Sequence, residues 1–395
     1  MRYHAYRLPD LEPLHSAVPL SEVSLYRAKN EPGELTAVLD KATAYARMTV
    51  EGTGETVPLL SDHGTLLVAD DGRTARAFIV ELVTEDADGQ DRVRFSAVGF
   101  GYLLKDQPWD PSAGAVRDAL ADVPGFKSRT GEVAAVEVDP LDMVRAMWTL
   151  VTSHDHTLQV QVDGTRSPVR IGEEEEDVEF ETSEGENVSF QTGPYRLSWW
   201  GTDDLHKEVE DLAVETPFEW REETRFNRRD DSPPQLRIRL GYPRLESVRR
   251  DNLHFSIDTN VFEPELTDDV DFFSEVLVIG NGEGAAKVRG HHRRTGHGRM
   301  RRVKVISDQG INTNKLANQI ARETCEQADQ DGRFIESFTV KDHPAARIGE
   351  FDVGDIIAVK GRMVWGRHQQ DCRISELDHD VSAGQVRVTV ERLPD

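Results

Sequence analysis

Alternation of apolar and polar positions dominates the first hundred residues and predicts strands. Ser21–Ala28 (SEVSLYRA) alternates, with Val23, Leu25 and Tyr26 as candidate core or interface residues. The Asn30-Glu31-Pro32-Gly33 turn then leads into an apolar stretch at 35–39. Strands at 65–68 and 77–83 flank Asp70-Asp71-Gly72, a hairpin signal, and 93–98 is expected to pair with 77–83. Asp86, Asp88 and Gly89 hint at a calcium loop, but the closing bidentate Glu of such a loop is missing, so a turn is expected. The pattern to about Leu104 is that of a small all-β module with five or six short strands.

The period then changes. Residues 112–123 and 139–151 carry apolar residues at helical spacing. In the second, Asp139 stands at the N-cap and Pro140 at N1, with Leu141, Val144, Met147, Trp148 and Val151 along one face. A strand resumes at 157–162, and the carboxylate run at 172–177 reads as a solvated loop. Thr202 is a candidate cap for a helix bearing Leu205, Val209 and Leu212. Residues 219–231 are rich in both charge signs and Ser232-Pro233-Pro234 breaks the chain, whereas 235–240 alternates as a strand and 254–257 leads through an acidic connector to the stretch that follows. Near the end, 312–327 predicts a helix with Leu316, Ala317 and Ile320 inward, and strands follow at 334–340, 349–360, 372–377 and 385–393.

The stretch 274–307 concentrates the unusual chemistry. Val276, Leu277, Val278 and Ile279 predict one strand, and Val303, Val305 and Ile306 another. Gly280, Gly282 and Ala285 imitate a dinucleotide fingerprint, which needs a helix whose N-terminal amides hold a pyrophosphate. The next residues, AAKVRGHHRRTGHG, have no helical apolar period, so two strands joined by a long, mobile, basic loop are expected instead. The candidate partner or lumen contacts there are Gly280, Gly282, Gly284, Arg289, Arg293, Arg294, Arg299, Arg301, Arg302 and Lys304.

Composition narrows the function classes. The 395 residues suffice for two to four domains, and 30% charged against 37% hydrophobic residues suits a folded chain. A net charge of −25 argues against a surface built as a whole for nucleic acid or anionic lipid. No apolar run is long enough to span a bilayer, and no signal core is seen at the N-terminus. Cys325 and Cys372 are too few for a disulfide framework or closed zinc site. His154-Asp155-His156 and the trio His291, His292 and His297 are the densest metal-like groups, and neither has a second ligand cluster. Nucleophile-elbow, zinc-helix and phosphate-loop motifs are missing, so no catalytic residue, metal or cofactor is expected.

Four short motifs together resemble those of tail-tip hub, or minor tail, proteins of long-tailed non-contractile phages, especially actinobacteriophages. They are Asn30-Glu31-Pro32-Gly33-Glu34-Leu35-Thr36-Ala37, Ala97-Val98-Gly99-Phe100-Gly101-Tyr102-Leu103-Leu104, Val278-Ile279-Gly280-Asn281-Gly282-Glu283-Gly284 and Phe351-Asp352-Val353-Gly354-Asp355-Ile356-Ile357-Ala358-Val359. The resemblance spans nearly the full length, with the acidic run at 173–177 and the basic stretch at 289–304 as departures. It implies a mainly β, α+β, multi-domain chain with two tail-tube-like β-barrel domains and smaller helix-containing domains. The expected limits are an N-terminal tube-like barrel at 1–105, a helix-containing middle at 106–200, a connecting α+β region at 201–270, and a C-terminal β domain with one helix at 271–395.

The function so implied is a structural baseplate hub: a homotrimer joining a sixfold tail tube to a threefold tip and closing or lining the DNA channel. Its expected partners are a distal tail protein or tail-tube hexamer, other tail-tip proteins and the tape-measure protein. DNA is met only in passage, where an acidic wall would repel it within about 10 Å, and no stable membrane insertion is expected. The location implied is the virion tail tip, after assembly in the bacterial host cytoplasm. Two other classes stay open from the residues. One is a carbohydrate-binding or glycan-cleaving β protein using exposed Trp199, Trp200, Trp220 and Trp365; the other is a nucleic-acid module centred on 289–304.

Overall fold

The computed structural model describes the chain except residues 51–53, 86–90, 110–125, 130–131, 136, 155–156, 172–175, 182–186, 193–195, 199–201, 229–231, 258, 267–272, 283, 295–299, 309–310, 312, 331–333, 364–365 and 394–395. The expected calcium-like turn and the helix at 112–123 lie outside the described residues. Two compact units result, Met1–Phe262 with Phe338–Asp395, and Glu263–Ser337. The chain is mainly β with a few helices. Among the described residues the strand pairings run as open ribbons, and no ring of them closes.

In the first unit, nine strands lie side by side in the order Val160–Val162, Gln235–Gly241, Glu219–Arg225, Ala75–Glu85, Arg92–Gly99, Glu34–Asp40, Ser21–Ala28, Gly366–Asp380 and Gln385–Arg392. The expected hairpin forms, with Asp70 opposite Ala75, and Ala75–Glu85 pairs with Arg92–Gly99 as the alternation predicts. An N-terminal strand, Arg2–Arg7, was not foreseen. It pairs antiparallel with Thr65–Asp70 from Arg2↔Asp70 to Arg7↔Thr65. Thr65–Asp70 is buried at all six positions, because it supplies two cores. Leu66 and Val68 face one, and Leu67 and Ala69 the other. Ala77 and Ile79 against Phe78 and Val80 repeat that division on the neighbouring strand, as the period of two requires.

One core is closed by helices. Pro140–Thr152 begins as its sequence dictates: the Asp139 carboxylate accepts from Leu141 N at 3.0 Å and from Ser167 N at 2.9 Å. Such a cap contributes about 1 kcal/mol. The face Leu141, Val144, Met147, Trp148 and Val151 is buried, and so are Met143, Ala146 and Leu150, so this helix is enclosed on more than one side. The helix Leu205–Glu215 buries Leu205, Val209 and Leu212 as predicted, but its cap is Asp204, not Thr202. Asp204 accepts from His206 N at 2.9 Å and Lys207 N at 3.3 Å.

The charge-mixed segment holds a strand, Glu219–Arg225. Its side chains are satisfied by distant partners. Arg373, 1% exposed, donates from Nη1 and Nη2 to the two oxygens of Glu219 at 2.7 and 2.6 Å, and from Nη1 to Glu391 at 2.9 Å. Lys29 also reaches Glu219 and Glu391. Burial alone would raise the pKa of Glu219, and Arg373 more than reverses that. Glu222 is placed differently. Its carboxylate accepts from Gly33 N at 3.1 Å and Gly101 N at 2.5 Å, and a Cβ on Gly99 would lie 2.1 Å from Oε2. Burial pushes Glu222 up to about 7, against the pull of the two amides.

The run at 172–177 enters a strand, Glu176–Glu181, in a hairpin with Asn187–Thr192, so the loop reading fails there; 172–175 are outside the described residues. Toward the C-terminus, Ile356–Met363, Gly366–Asp380 and Gln385–Arg392 form the expected meander. Gly354 takes φ +91° at the turn before it, a conformation glycine adopts without Cβ strain. The two β halves of this unit meet edge to edge, with Ala28 opposite Glu376 and Ser24 opposite Asp380.

Candidate functional site

The second unit carries the stretch with the unusual chemistry. Glu275–Ile279 is the central strand, with Arg289–Arg293 antiparallel on one side and Val303–Ser307 parallel on the other. Part of the expected loop is therefore a strand. After Gly280 comes only a three-residue 3-10 turn, Gly284–Ala286, and the helix that a dinucleotide fingerprint demands is not there.

One face of this sheet is sealed. Val276 and Val278 are buried against Ala317, Ala321 and Cys325 of the helix Asn314–Gln330. These three helix residues are spaced by four and are small, which permits a close approach. A Cβ on Gly290 would lie 2.1 Å from the Ala317 backbone. Leu316, expected inward, is 43% exposed, because the small-residue face sets the helix rotation.

The other face carries the charged residues, with Glu275 buried, Leu277 half-buried and the flanking strands exposed at most described positions. Residues opposite one another across strands share a face, so Glu275, Leu277, His291, Arg293, Arg289, Val303 and Val305 lie together. Val303 is 42% and Val305 55% exposed, and the nearby Met300 is 86% exposed. The arginines around them are exposed.

Glu275 organises the cations. It accepts from Arg301 Nε at 2.5 Å and Nη2 at 2.9 Å, and its Oε1 lies 2.9 Å from His291 Nε2. Arg293 Nε is 4.0 Å away. The Arg301 hydrogen bonds, then that of His291, hold the Glu275 carboxyl down at about 2.

The ten sequence candidates do not form one patch. Arg293 and Arg301 converge on Glu275. Arg302 exposes its side chain while its carbonyl accepts from Ser274 N and Glu275 N. Arg294 donates its backbone N–H to Ser274 O at 2.8 Å, and Lys304 lies over the Phe273 ring. Arg289 sits opposite Ile279, at the glycine end, about 13 Å along the strand. Gly280, Gly282 and Gly284 serve the turn: Gly282 has φ +119° and Gly284 φ +56°. Arg299 lies outside the described residues, as does His297. The signal that sequence reading missed is Glu275, a single acid opening a strand opposite an arginine-rich one.

The other candidates also have places. Trp220, expected to be exposed for sugar stacking, is 3% exposed in the core, while Trp199, Trp200 and Trp365 lie outside the described residues. Of the His154 group only His154 is described. Among the described residues no three His, Cys, Asp or Glu side chains form a metal-ready group, and no helix is long and apolar enough to cross a membrane. Cys325 and Cys372 are buried and form no disulfide with each other, and burial raises the thiol of Cys372 to about 12.

No protein-family model matches the sequence, and no curated protein matches it. Solved structures similar to it include the 43 kDa tail protein of prophage MuSo2 from Shewanella oneidensis, at 11% identity and TM-score 0.49, covering 99% of this chain and 98% of that one. Prophage tail protein gp18 from Listeria monocytogenes is similar at 10% identity and TM-score 0.45, over 100% and 96% of the two chains. A tail protein from Neisseria meningitidis follows at 9% identity and TM-score 0.45, over 99% and 97%. Likenesses this distant do not identify the chain.

Proposed function

We propose that the chain is a structural subunit of a phage tail tip, a trimeric hub without enzymatic activity. The observation that carries this reading is the edge-to-edge joint of two β modules, Ser24↔Asp380 to Ala28↔Glu376. One subunit so built holds two modules side by side, and three subunits would set six around an axis. The first tube-like module lies in 1–105, and the second includes the C-terminal meander. The four motifs that resemble hub proteins fit the same reading. Joining a sixfold tube to a threefold tip is then a matter of repeating one joint inside and between subunits.

The charged sheet face of Glu263–Ser337 is the partner contact in this reading. An apolar centre of Val303, Val305 and Met300 with Arg293 and Arg301 at one end of the sheet suits a neighbour that is acidic and partly apolar, such as another tip protein or the end of the tape-measure protein. A phage carrying Val303→Ser, Val305→Ser and Arg293→Ser tests it. Loss of tail assembly with normal folding of the isolated chain is expected. Normal assembly and infectivity would remove the face from the account.

A further inference from the structure

A cavity of about 450 Å³ in the first unit is walled by six arginines in a chain of net charge −25. It lies beside the bases of the strands Ser21–Ala28, Ala75–Glu85 and Glu219–Arg225, with the 352–353 turn closing it. Three of the arginines have a carboxylate each. Arg228 forks onto Asp70, Arg73 meets Glu350, and Arg225 meets Glu223. The other three, Arg27, Arg76 and Arg221, gather around Asp352. Burial would raise the Asp352 carboxyl, yet it is held low by all three.

Their bonds show how little else neutralises them. Arg27 hydrogen-bonds Asp352 directly. Arg76 lies 3.9 Å from Asp71 besides facing Asp352, and Arg221 donates from Nη1 to the Val353 carbonyl at 3.0 Å. Arg76 is itself largely covered, with 12% of its side chain exposed. Glu222 also lines the cavity, but its oxygens are taken by the Gly33 and Gly101 amides. Among the lining residues the six guanidiniums thus face four carboxyl groups, Glu31, Glu222, Glu223 and Asp352, while Asp70, Asp71 and Glu350 pair with arginines from outside the lining. Ala77, Phe78 and Phe226 add apolar surface.

We infer that this cavity is a binding site for an acidic polypeptide segment, one carboxylate docking on Arg76 and Arg221 with an adjacent apolar side chain against Phe78 and Phe226. Planar guanidiniums match a carboxylate through paired N–H donors. A space of this size takes two or three residues of a chain, whereas nucleic acid needs a continuous basic track that an acidic protein does not offer. The site shares no residue with the sheet face at 275–305; Arg27 and Ala28 line it and also stand in the joint with 376–377, and binding a peptide there goes beyond the hub reading.

The test uses the full chain and a blocked Leu-Glu-Leu tripeptide, with Leu-Gln-Leu and inorganic phosphate as comparison probes. We expect saturable binding of the Glu peptide at least about tenfold tighter than the Gln peptide, and loss of that preference in Arg76→Gln/Arg221→Gln. In the wild-type chain, the Glu peptide should also protect Arg76 and Arg221 from phenylglyoxal, a readout that does not depend on the variant folding. Equal affinity for the two peptides, or no protection of these arginines, overturns the proposal. Tighter binding of phosphate than of the peptide at the same arginines overturns it in favour of a phosphate site.

Discussion

Arg373 and Glu219 form a two-pronged ion pair, 2.7 and 2.6 Å across, between strands 154 residues apart in sequence. Arg373 stands on Gly366–Asp380 and Glu219 on Glu219–Arg225, so the pair ties the C-terminal meander to the strand that flanks the helical core. Its remaining donors are also engaged, by Glu391 at 2.9 Å, Ser247 Oγ at 3.0 Å and the Gly354 and Leu245 carbonyls at 3.3 Å.

Breaking the pair from one side leaves the buried Glu219 carboxylate with Lys29, 3.2 Å away, as its remaining cation. Arg373→Met is expected to lower stability by about 3–5 kcal/mol. Urea denaturation of the variant checks this. Adding Glu219→Leu to it should restore part of the loss, since burying neither charge costs less than burying one.

Glu222 predicts a pH dependence of opposite sign to that of an ordinary salt-bridged acid. Its carboxyl titrates near 7 in the fold against 4.5 as the ordinary value. Between these the folded chain holds the extra proton. This contribution is therefore complete below about 4.5, declines as pH rises and is flat above about 7. His379, held down to about 4 by burial and the nearby Arg76 and Arg27, tilts the curve the other way below 6.5. The difference between wild type and Glu222→Gln isolates the first effect. Relative to the variant, wild type should lose stability between about pH 5 and about pH 8 in urea melts.

Glu275 behaves as the usual acid. Its carboxyl is depressed from 4.5 to about 2, so its contribution is present above 4.5 and lost as pH falls toward 2. Glu275→Gln should melt lower than wild type at neutral pH, with the two curves meeting in strong acid. It should also raise phenylglyoxal labelling of Arg301, which loses its bidentate partner.

Gly290→Ala is expected to separate the helix Asn314–Gln330 from its sheet. The added Cβ would lie 2.1 Å from the Ala317 carbonyl, and backbone cannot swing aside as a side chain can. A loss of about 1–3 kcal/mol is expected, seen as faster hydrogen exchange at Ala317 and Ala321 than in wild type.

Much of the fold was legible where the deciding interactions are local. Asp139 and Pro140 announce their helix because cap and first turn lie within three residues. Asp70-Asp71-Gly72 announces its hairpin for the same reason. Glu219–Arg225 was not legible: its charged residues suit a strand only because Arg373 and the Gly33 and Gly101 amides meet them from far along the chain. Arg2–Arg7 depends likewise on Thr65–Asp70. At the candidate site the basic residues were visible, but their split into two ends of a sheet was not, because register rather than order places Arg293 by Glu275 and Arg289 by Ile279. Of the residues expected inward, Ala317 is buried and Leu316 is not, because the close approach of Gly290 to Ala317 fixes the helix rotation and hydrophobic spacing does not encode that contact.

The most direct measurement on the hub reading is the mass of the purified chain by light scattering behind a sizing column, with negative-stain images of the same peak. A ring-shaped species at three times 44.4 kDa is predicted. A single 44.4 kDa species that persists as concentration is raised, with no ring in the images, would contradict it.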